Sequence, residues 1–316
     1  MTALAVAEVC VGPFNRGMAA IVTQDLCKRF GPHEVLHQVN LRVPVGSRFG
    51  FLGPNGAGKT TAIRILLGLL RASAGSARIL DQDVWRRGPH IRAEVGYLPG
   101  DVRFYDGLTG RATLAFLDAA RGSASRDEIK RLTERFDLEL DKRVRDYSRG
   151  MKQKLGLIQA LMHRPKLLIL DEPTVSLDPL IREVLYEELR NVAAEGRTVL
   201  FSSHTLSEVE GLCDHVAILR EGRLIEQERI EVLRQRAVRH LELVFEPEGR
   251  PAELPPQGLT VTHESDTALW GTWVGPVDPL LSWLTRGHVR DMTIAPPDLA
   301  DLFLAYYADR PPGGSS

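Results

Sequence analysis

The sequence predicts an α/β fold with a mostly parallel core sheet and a helical arm, followed by a small α+β C-terminal domain. Three observations lead there. Apolar runs of strand length alternate with helical patterns from residue 20 to about 236. A glycine-rich loop, "GPNGAGKTT", lies between one such strand and one such helix. After Arg236 the pattern turns to short alternating segments separated by Pro-rich turns such as "GRPAELPPQG".

Taken in order, residues 1–17 lack a Lys/Arg-led apolar segment with a cleavage site, so they are not expected to be a secretory signal. They are expected to be a disordered extension, and Met18, just before the strand-like "AAIVTQDLC", is a second candidate for the start. The cassette is expected over 18–236, with strands "VLHQVNLRV", "RFGFL", "EVGYL", "LLILD", "TVLFSS" and "HVAILR". Between them, "TTAIRILLGLL" reads as the helix behind the glycine loop, and "LTGRATLAFLDAAR" as a helix ended by Gly122. "SASRDEIKRLTERFDL" opens with a serine and acidic residues that suit a helix N-terminus. The stretch 108–165 is expected to be almost wholly helical and to form the arm. The accessory domain, 237–310, has strands "RHLELVFEPE", "GLTVTHE" and "ALWGTWVG" and a closing helix "PPDLADLFLAYY", before a Gly/Ser tail, 311–316, expected to be disordered.

Composition excludes several classes. Forty basic residues against forty-one acidic ones leave a net charge of -1, so no global field draws the chain to nucleic acid or to an anionic membrane, and no nucleic-acid partner is expected. Three widely spaced cysteines, Cys10, Cys27 and Cys213, form no metal or redox cluster. No run approaches the roughly 20 apolar residues that span a bilayer, so a membrane role has to be peripheral.

The chemistry concentrates in three strand ends. Gly53, Pro54, Asn55, Gly56, Ala57, Gly58, Lys59, Thr60 and Thr61 match G-x-x-x-x-G-K-[ST] in the strand–loop–helix context that motif requires. The glycines let backbone N–H groups curl around phosphate oxygens, Lys59 bridges the β and γ phosphates of ATP, and Thr60 supplies a ligand to Mg2+. "LLILDEP" is a buried-type strand ending in two carboxylates, with Asp171 placed to hold hydrated Mg2+ and Glu172 to polarise the attacking water. The alternative is a polar strand end facing solvent. "TVLFSS" leads to His204, which at the tip of a parallel strand can reach a γ phosphate, or is a surface or core histidine. "YSRGMKQ" opens an amphipathic helix with Ser148, Arg149 and Gly150, a second place suited to an anion.

With these motifs together the chain resembles the ATP-binding subunit of an ABC transporter, over a span from Phe30 to His204. The resemblance implies a P-loop ABC ATPase cassette in which Phe30 stacks on adenine and "YSRGMKQ" is the signature. It makes Asp178, in "VSLDP", part of a loop that crosses between subunits. It also implies that two copies pack head to tail, the signature of each binding the γ phosphate held by the other's glycine loop. Two departures stand out: Arg149 replaces the middle glycine of the signature, and Gly100, in "VGYLPGDV", replaces a glutamine that touches magnesium and water. Asp101 is one substitute for that glutamine; backbone and solvent are the other.

The lone cassette, "YLPG", "YSRGMKQK" and the ending "LADLFLAYY" look like the daunorubicin-resistance type of drug exporter. That implies an integral membrane permease on a separate polypeptide, with this chain on the inner face of the cell membrane and a drug, antibiotic or lipid as cargo. The alternatives are an importer subunit or a soluble, non-transport ABC ATPase. A translation factor of that kind predicts two cassettes and a basic surface, and a DNA-repair ATPase a long heptad insertion; the sequence has neither.

Overall fold

The computed structural model describes residues 18–122 and 125–295, together with Leu299 and Phe303. The chain divides into two compact units, 1–227 and 228–316. In chain order the first begins with β1 (Ala19–Phe30), β2 (His33–Val39), β3 (Arg42–Pro44), β4 (Arg48–Leu52), α1 (Lys59–Leu66), β5 (Ala74–Ile79) and β6 (Gln82–Asp83). Then come α2 (Gly88–Glu94), β7 (Val95–Leu98), α3 (Gly110–Arg121), α4 (Arg126–Arg135) and α5 (Arg149–Leu161). It closes with β8 (Leu167–Asp171), α6 (Pro179–Ala194), β9 (Thr198–Ser203), α7 (Leu206–Leu212), β10 (His215–Arg220) and β11 (Arg223–Arg229). The second unit holds α8 (Ile230–Arg236), β12 (Arg239–Phe245), β13 (Leu259–Glu264), β14 (Ala268–Trp273), α9 (Val277–Leu284) and β15 (Val289–Ile294).

The core sheet has the order β11-β10-β4-β9-β8-β7. Its pairs β10–β4, β4–β9, β9–β8 and β8–β7 are all parallel. Every residue of β8 and β9 is buried, which is why these strands read as unbroken apolar runs rather than as alternation. Because the strands are parallel, the C-terminal ends of β4, β8 and β9 meet along one edge, where ligands of open α/β sheets bind.

A second, antiparallel sheet, β2-β1-β5-β6 with β3 on β1, completes this unit. The expected single strand "VLHQVNLRV" is broken into β2 and β3. Gln38 turns into positive φ (50°) and the Asn40 side chain ties the bend, accepting from Asp25 N at 2.7 Å and donating to the Gln38 carbonyl at 3.1 Å. The arm is less helical than expected: residues 137–143 are irregular between α4 and α5, starting at Asp137 with φ 48°, and a 3-10 turn covers Val144–Asp146.

The second unit is an antiparallel sheet, β13-β14-β12-β15. Helix α9 packs Leu280, Trp283 and Leu284 against Leu241, Leu243, Phe245, Leu269 and Trp273. The unit begins ahead of the expected 236/237 boundary because α8 belongs with it, whereas the change in sequence pattern marks only where strand alternation starts. Of the expected closing helix, Leu299 and Phe303 are described, helical and buried; the rest, with the 1–17 extension and the 311–316 tail, lies outside the described residues.

At the end of α5, His163 Nε2 lies 3.4 Å from the Val95 carbonyl, while Nδ1 is buried without a hydrogen-bond partner among the described residues. Burial first, then the nearby Arg121 charge, push this imidazole down to about 4. The folded chain therefore keeps it neutral where the unfolded chain, titrating near about 6.5, takes up a proton. Its contribution to stability is full above about pH 6.5 and is lost as pH falls toward 4. The Tm of the parent should drop more between pH 7 and 5 than that of His163→Gln; equal drops would contradict this.

Candidate active site

The site is assembled at the edge where β4, β8 and β9 end. The glycine loop leaves β4, and α1 starts at Lys59 with Gly58 as its cap residue and no side-chain cap, so the first N–H groups of the helix are left for an anion. Gly58 has φ 104°, and a Cβ there would lie 2.8 Å from Leu36 Cδ2 and 3.1 Å from the Val35 carbonyl, so both conformation and space demand glycine. Residues 54–61, with Val35 and Glu172, line a cavity of about 250 Å³.

Lys59 is 5% exposed; its Nζ donates to the Gly53 and Pro54 carbonyls at 2.5 and 3.2 Å and lies 3.4 Å from Glu172 Oε1. Asp171, 2% exposed, is held at both oxygens: Oδ1 accepts from Ser202 Oγ at 2.6 Å and Oδ2 from Thr60 Oγ1 at 2.8 Å. A hydroxyl and a carboxylate meeting at that distance form the hard oxygen set that suits Mg2+. Burial, then the Asp171 charge, push the neighbouring Tyr97 phenol up to about 12.

Glu172 adopts positive φ (49°), and its N–H is held by the Ser202 carbonyl at 3.2 Å and Ser202 Oγ at 3.0 Å. A non-glycine residue in this region is strained, and the surrounding bonds hold it there. The carboxylate is gripped from both sides, by Lys59 on Oε1 and by His204 Nδ1, 2.8 Å from Oε2. His204, which the sequence reads as able to reach a γ phosphate or as a surface or core histidine, follows β9 with its Nδ1 on the Glu172 carboxylate.

Phe30 ends β1 and is 48% exposed, with Lys28 Nζ 4.8 Å from its ring centroid. It pairs with His33 on β2, the strand whose Val35 lines the cavity. A half-exposed ring is free to stack, so Phe30→Ala should weaken nucleotide binding by about 1–3 kcal/mol while leaving the Tm nearly unchanged. Unchanged affinity with a lowered Tm would show the ring to be a packing residue instead.

Ser148, Arg149, Gly150 and Asp178 do not line this cavity. Ser148 caps α5, its Oγ accepting from Met151 N at 3.2 Å, and Arg149 is exposed in the first turn. A Cβ on Gly150 would lie 2.7 Å from the Ser176 carbonyl, so position 150 must stay glycine whereas position 149 accepts a side chain. Asp178 caps α6, accepting from Ile181 N at 3.0 Å.

Two residues were missed from sequence. Ser202, fully buried, fixes both Asp171 and Glu172; the signal was a polar residue closing the apolar strand "TVLFSS". Gln153 donates from α5 to the Pro173 carbonyl at 3.0 Å, and nothing in its helical pattern marks it.

Gly100 has no positive φ, and the three atoms nearest a Cβ there all belong to Asp171, at 3.5–3.8 Å, ordinary contact. Asp101 points elsewhere: its carboxylate, 75% exposed, accepts from Arg103 Nη2 at 2.7 Å and Nε at 2.9 Å. Gly100→Gln should therefore fold within about 0.5 kcal/mol of the parent and hydrolyse ATP faster, and Asp101→Asn should keep most activity. A tenfold higher magnesium midpoint in Asp101→Asn, with folding intact, would make Asp101 the ligand after all.

Fold and site together define a P-loop nucleotide hydrolase built on a parallel sheet. A family model described as ABC transporter matches residues 36–175. The chain is 38% identical over 244 residues to the bacitracin transport ATP-binding protein BcrA of Bacillus licheniformis, covering 76% of this chain and 80% of the relative. It is 38% identical over 213 residues to the Nod factor export ATP-binding protein I of Burkholderia orbicola, covering 66% and 70%. A solved structure of the ATP-binding subunit of an ABC transporter superposes with a TM-score of 0.65 at 30% identity, covering 68% of this chain and 92% of that one. The chain belongs to the ATP-binding subunits of ABC transporters, and it binds and hydrolyses ATP.

Proposed function

We propose that the chain energises export through a separate membrane permease, with ATP bound between two copies of the cassette. One observation carries the shared-site reading. The cavity holds the loop, Lys59 and Glu172, while Ser148, Arg149 and Gly150 present a helix start away from it. A γ phosphate bound over Lys59 is left open on its outer side, and the capped, cation-bearing start of α5 on a second copy has the chemistry to cover it.

Within each site the phosphates lie along the N–H groups of the loop and α1, with Lys59 leaving the Gly53 and Pro54 carbonyls to meet them. Thr60 and Asp171 are placed to hold Mg2+, which would neutralise charge on the phosphate oxygens when bound. Glu172, held by His204, accepts the proton of the attacking water. Asp178 lies at the exposed start of α6, where the second copy would approach.

Among the described residues no helix is long and apolar enough to cross a membrane. The relatives named for bacitracin transport and Nod factor export favour outward movement of a drug, antibiotic or lipid. The direction is testable in inverted membrane vesicles containing this chain and its permease, with labelled bacitracin as probe. ATP-dependent accumulation that Glu172→Gln abolishes is expected; ATP-dependent accumulation only in right-side-out vesicles would mark an importer.

A further inference from the structure

Glu188, in the middle of α6, is 3% exposed, and both its oxygens are engaged by side chains of α4. Arg131 donates to it in a fork, Nη1 to Oε1 at 2.9 Å and Nη2 to Oε2 at 2.8 Å, and Arg135 Nε adds a third bond to Oε1 at 3.1 Å. The cations are braced in turn: Arg131 Nη2 reaches Glu128 at 2.8 Å and Arg135 Nη2 reaches Glu187 at 2.7 Å. Burial pulls the Glu188 carboxyl up, but the bonds from Arg131 and then Arg135 outweigh it and hold it below its ordinary value. Forked arginine–carboxylate pairs fix direction as well as distance; here the carboxylate is buried while the Arg131 and Arg135 side chains are 45% and 40% exposed.

The placement gives this clasp a use that helix stability does not require. Helix α4 belongs to the arm; α6 follows the strand that ends at Asp171, with Glu172 directly after it. At its beginning, α6 is preceded by Ser176, whose carbonyl abuts Gly150 closely enough to exclude a Cβ. Glu188 lies roughly 14 Å further along α6, at 1.5 Å per residue from Pro179. Helix α5 also meets the core where Gln153 donates to the Pro173 carbonyl and where Gly156 packs so closely on Leu98 that a Cβ would lie 2.6 Å from its Cδ1. The clasp adds a directional contact on α4, away from that line, which sets the angle of the arm about it.

We infer that Glu188, held by Arg131 and Arg135, is a positioning residue that fixes the orientation of α4 and α5, and with them Ser148, Arg149 and Gly150, for engagement of the second copy's nucleotide. This rests on the shared-site reading of those three residues. The clasp touches neither the phosphate loop nor the carboxylates at the end of β8, so its loss should spare nucleotide binding by one chain and impair closure of two.

The test uses the full chain in the Glu172→Gln background, where bound ATP is not consumed. Two quantities are measured: affinity of the single chain for a fluorescent ATP analogue at low protein concentration, and the ATP concentration giving half dimer by light scattering. Glu188→Gln keeps the volume but places an amide N–H against guanidinium N–H groups. It should raise the half-dimer ATP concentration about tenfold or more, as loss of a buried charge-assisted contact implies, with analogue affinity within about twofold. Glu188→Asp, which restores the charge, should lie between. Should Glu188→Gln fail to fold, Arg135→Gln removes a single bond to Glu188, leaves the Arg131 fork in place, and should shift the midpoint in the same direction by less. A half-dimer concentration unchanged within twofold, with a lowered Tm, would reduce the clasp to a structural brace and overturn the inference. A background protein that never dimerises with ATP would instead sink the shared-site reading, and the inference with it.

Discussion

Lys59→Ala is expected to reduce ATP turnover by roughly 10³-fold or more and to weaken ATP binding by about 10–100-fold. The ammonium is buried on two loop carbonyls and faces Glu172, so it serves the site in two ways. Among the described residues it supplies the one side-chain cation that lines the phosphate cavity, and it holds one oxygen of the carboxylate. Alanine leaves the backbone N–H groups but removes the charge that answers the β and γ phosphates, which those amides cannot replace. Hydrolysis and affinity should be measured on the same preparation, with Tm as a control for the side chain lost from a 5% exposed position. Turnover at the parent rate would mean that the glycine loop is not where ATP reacts.

Glu172→Gln separates binding from chemistry. Glutamine preserves the volume and keeps a hydrogen-bonding group within 2.8 Å of His204 Nδ1, while Thr60 and Asp171 are untouched. ATP should therefore bind as before, and the chemical step should slow by roughly 10² or more because no carboxylate remains to take the proton of water. The consequence is accumulation of an ATP-bound pair of chains. Light scattering at saturating ATP should give the mass of two copies for this variant; a strictly monomeric species would contradict a site shared between chains.

Much of the site was legible because its residues violate the environment around them. Asp171 and Glu172 close a strand buried at every position, and glycines crowd a junction where α1 begins uncapped. Such departures show without knowledge of the neighbours. Ser202 was hidden because a serine at a strand end is ordinary; only the paired register Asp171↔Ser202 brings it to the Asp171 carboxylate and the Glu172 N–H. The clasp on Glu188 was hidden for a similar reason, since on a single helix its charges look like a solvated face. Strands β5 and β11 escaped because they are largely exposed or half-buried and carry little apolar signal, and α9 because its eight residues are too short for a period to emerge. Gly100 showed its departure from the family in the sequence, but only the backbone shows that the position is not conformationally special.

In the proposed dimer each active site takes its glycine loop from one chain and its signature from another. Mixing two inactive variants tests this most directly. Lys59→Ala has a damaged loop and an intact signature; Ser148→Arg has an intact loop and a bulky cation at the cap of α5. Each alone should hydrolyse ATP at a small fraction of the parent rate. In a 1:1 mixture half the pairs are mixed, and each mixed pair holds one complete site, so turnover should recover to about a quarter of the parent value. No recovery on mixing, with both variants folded and Ser148→Arg still binding ATP, would show that loop and signature are not shared between chains.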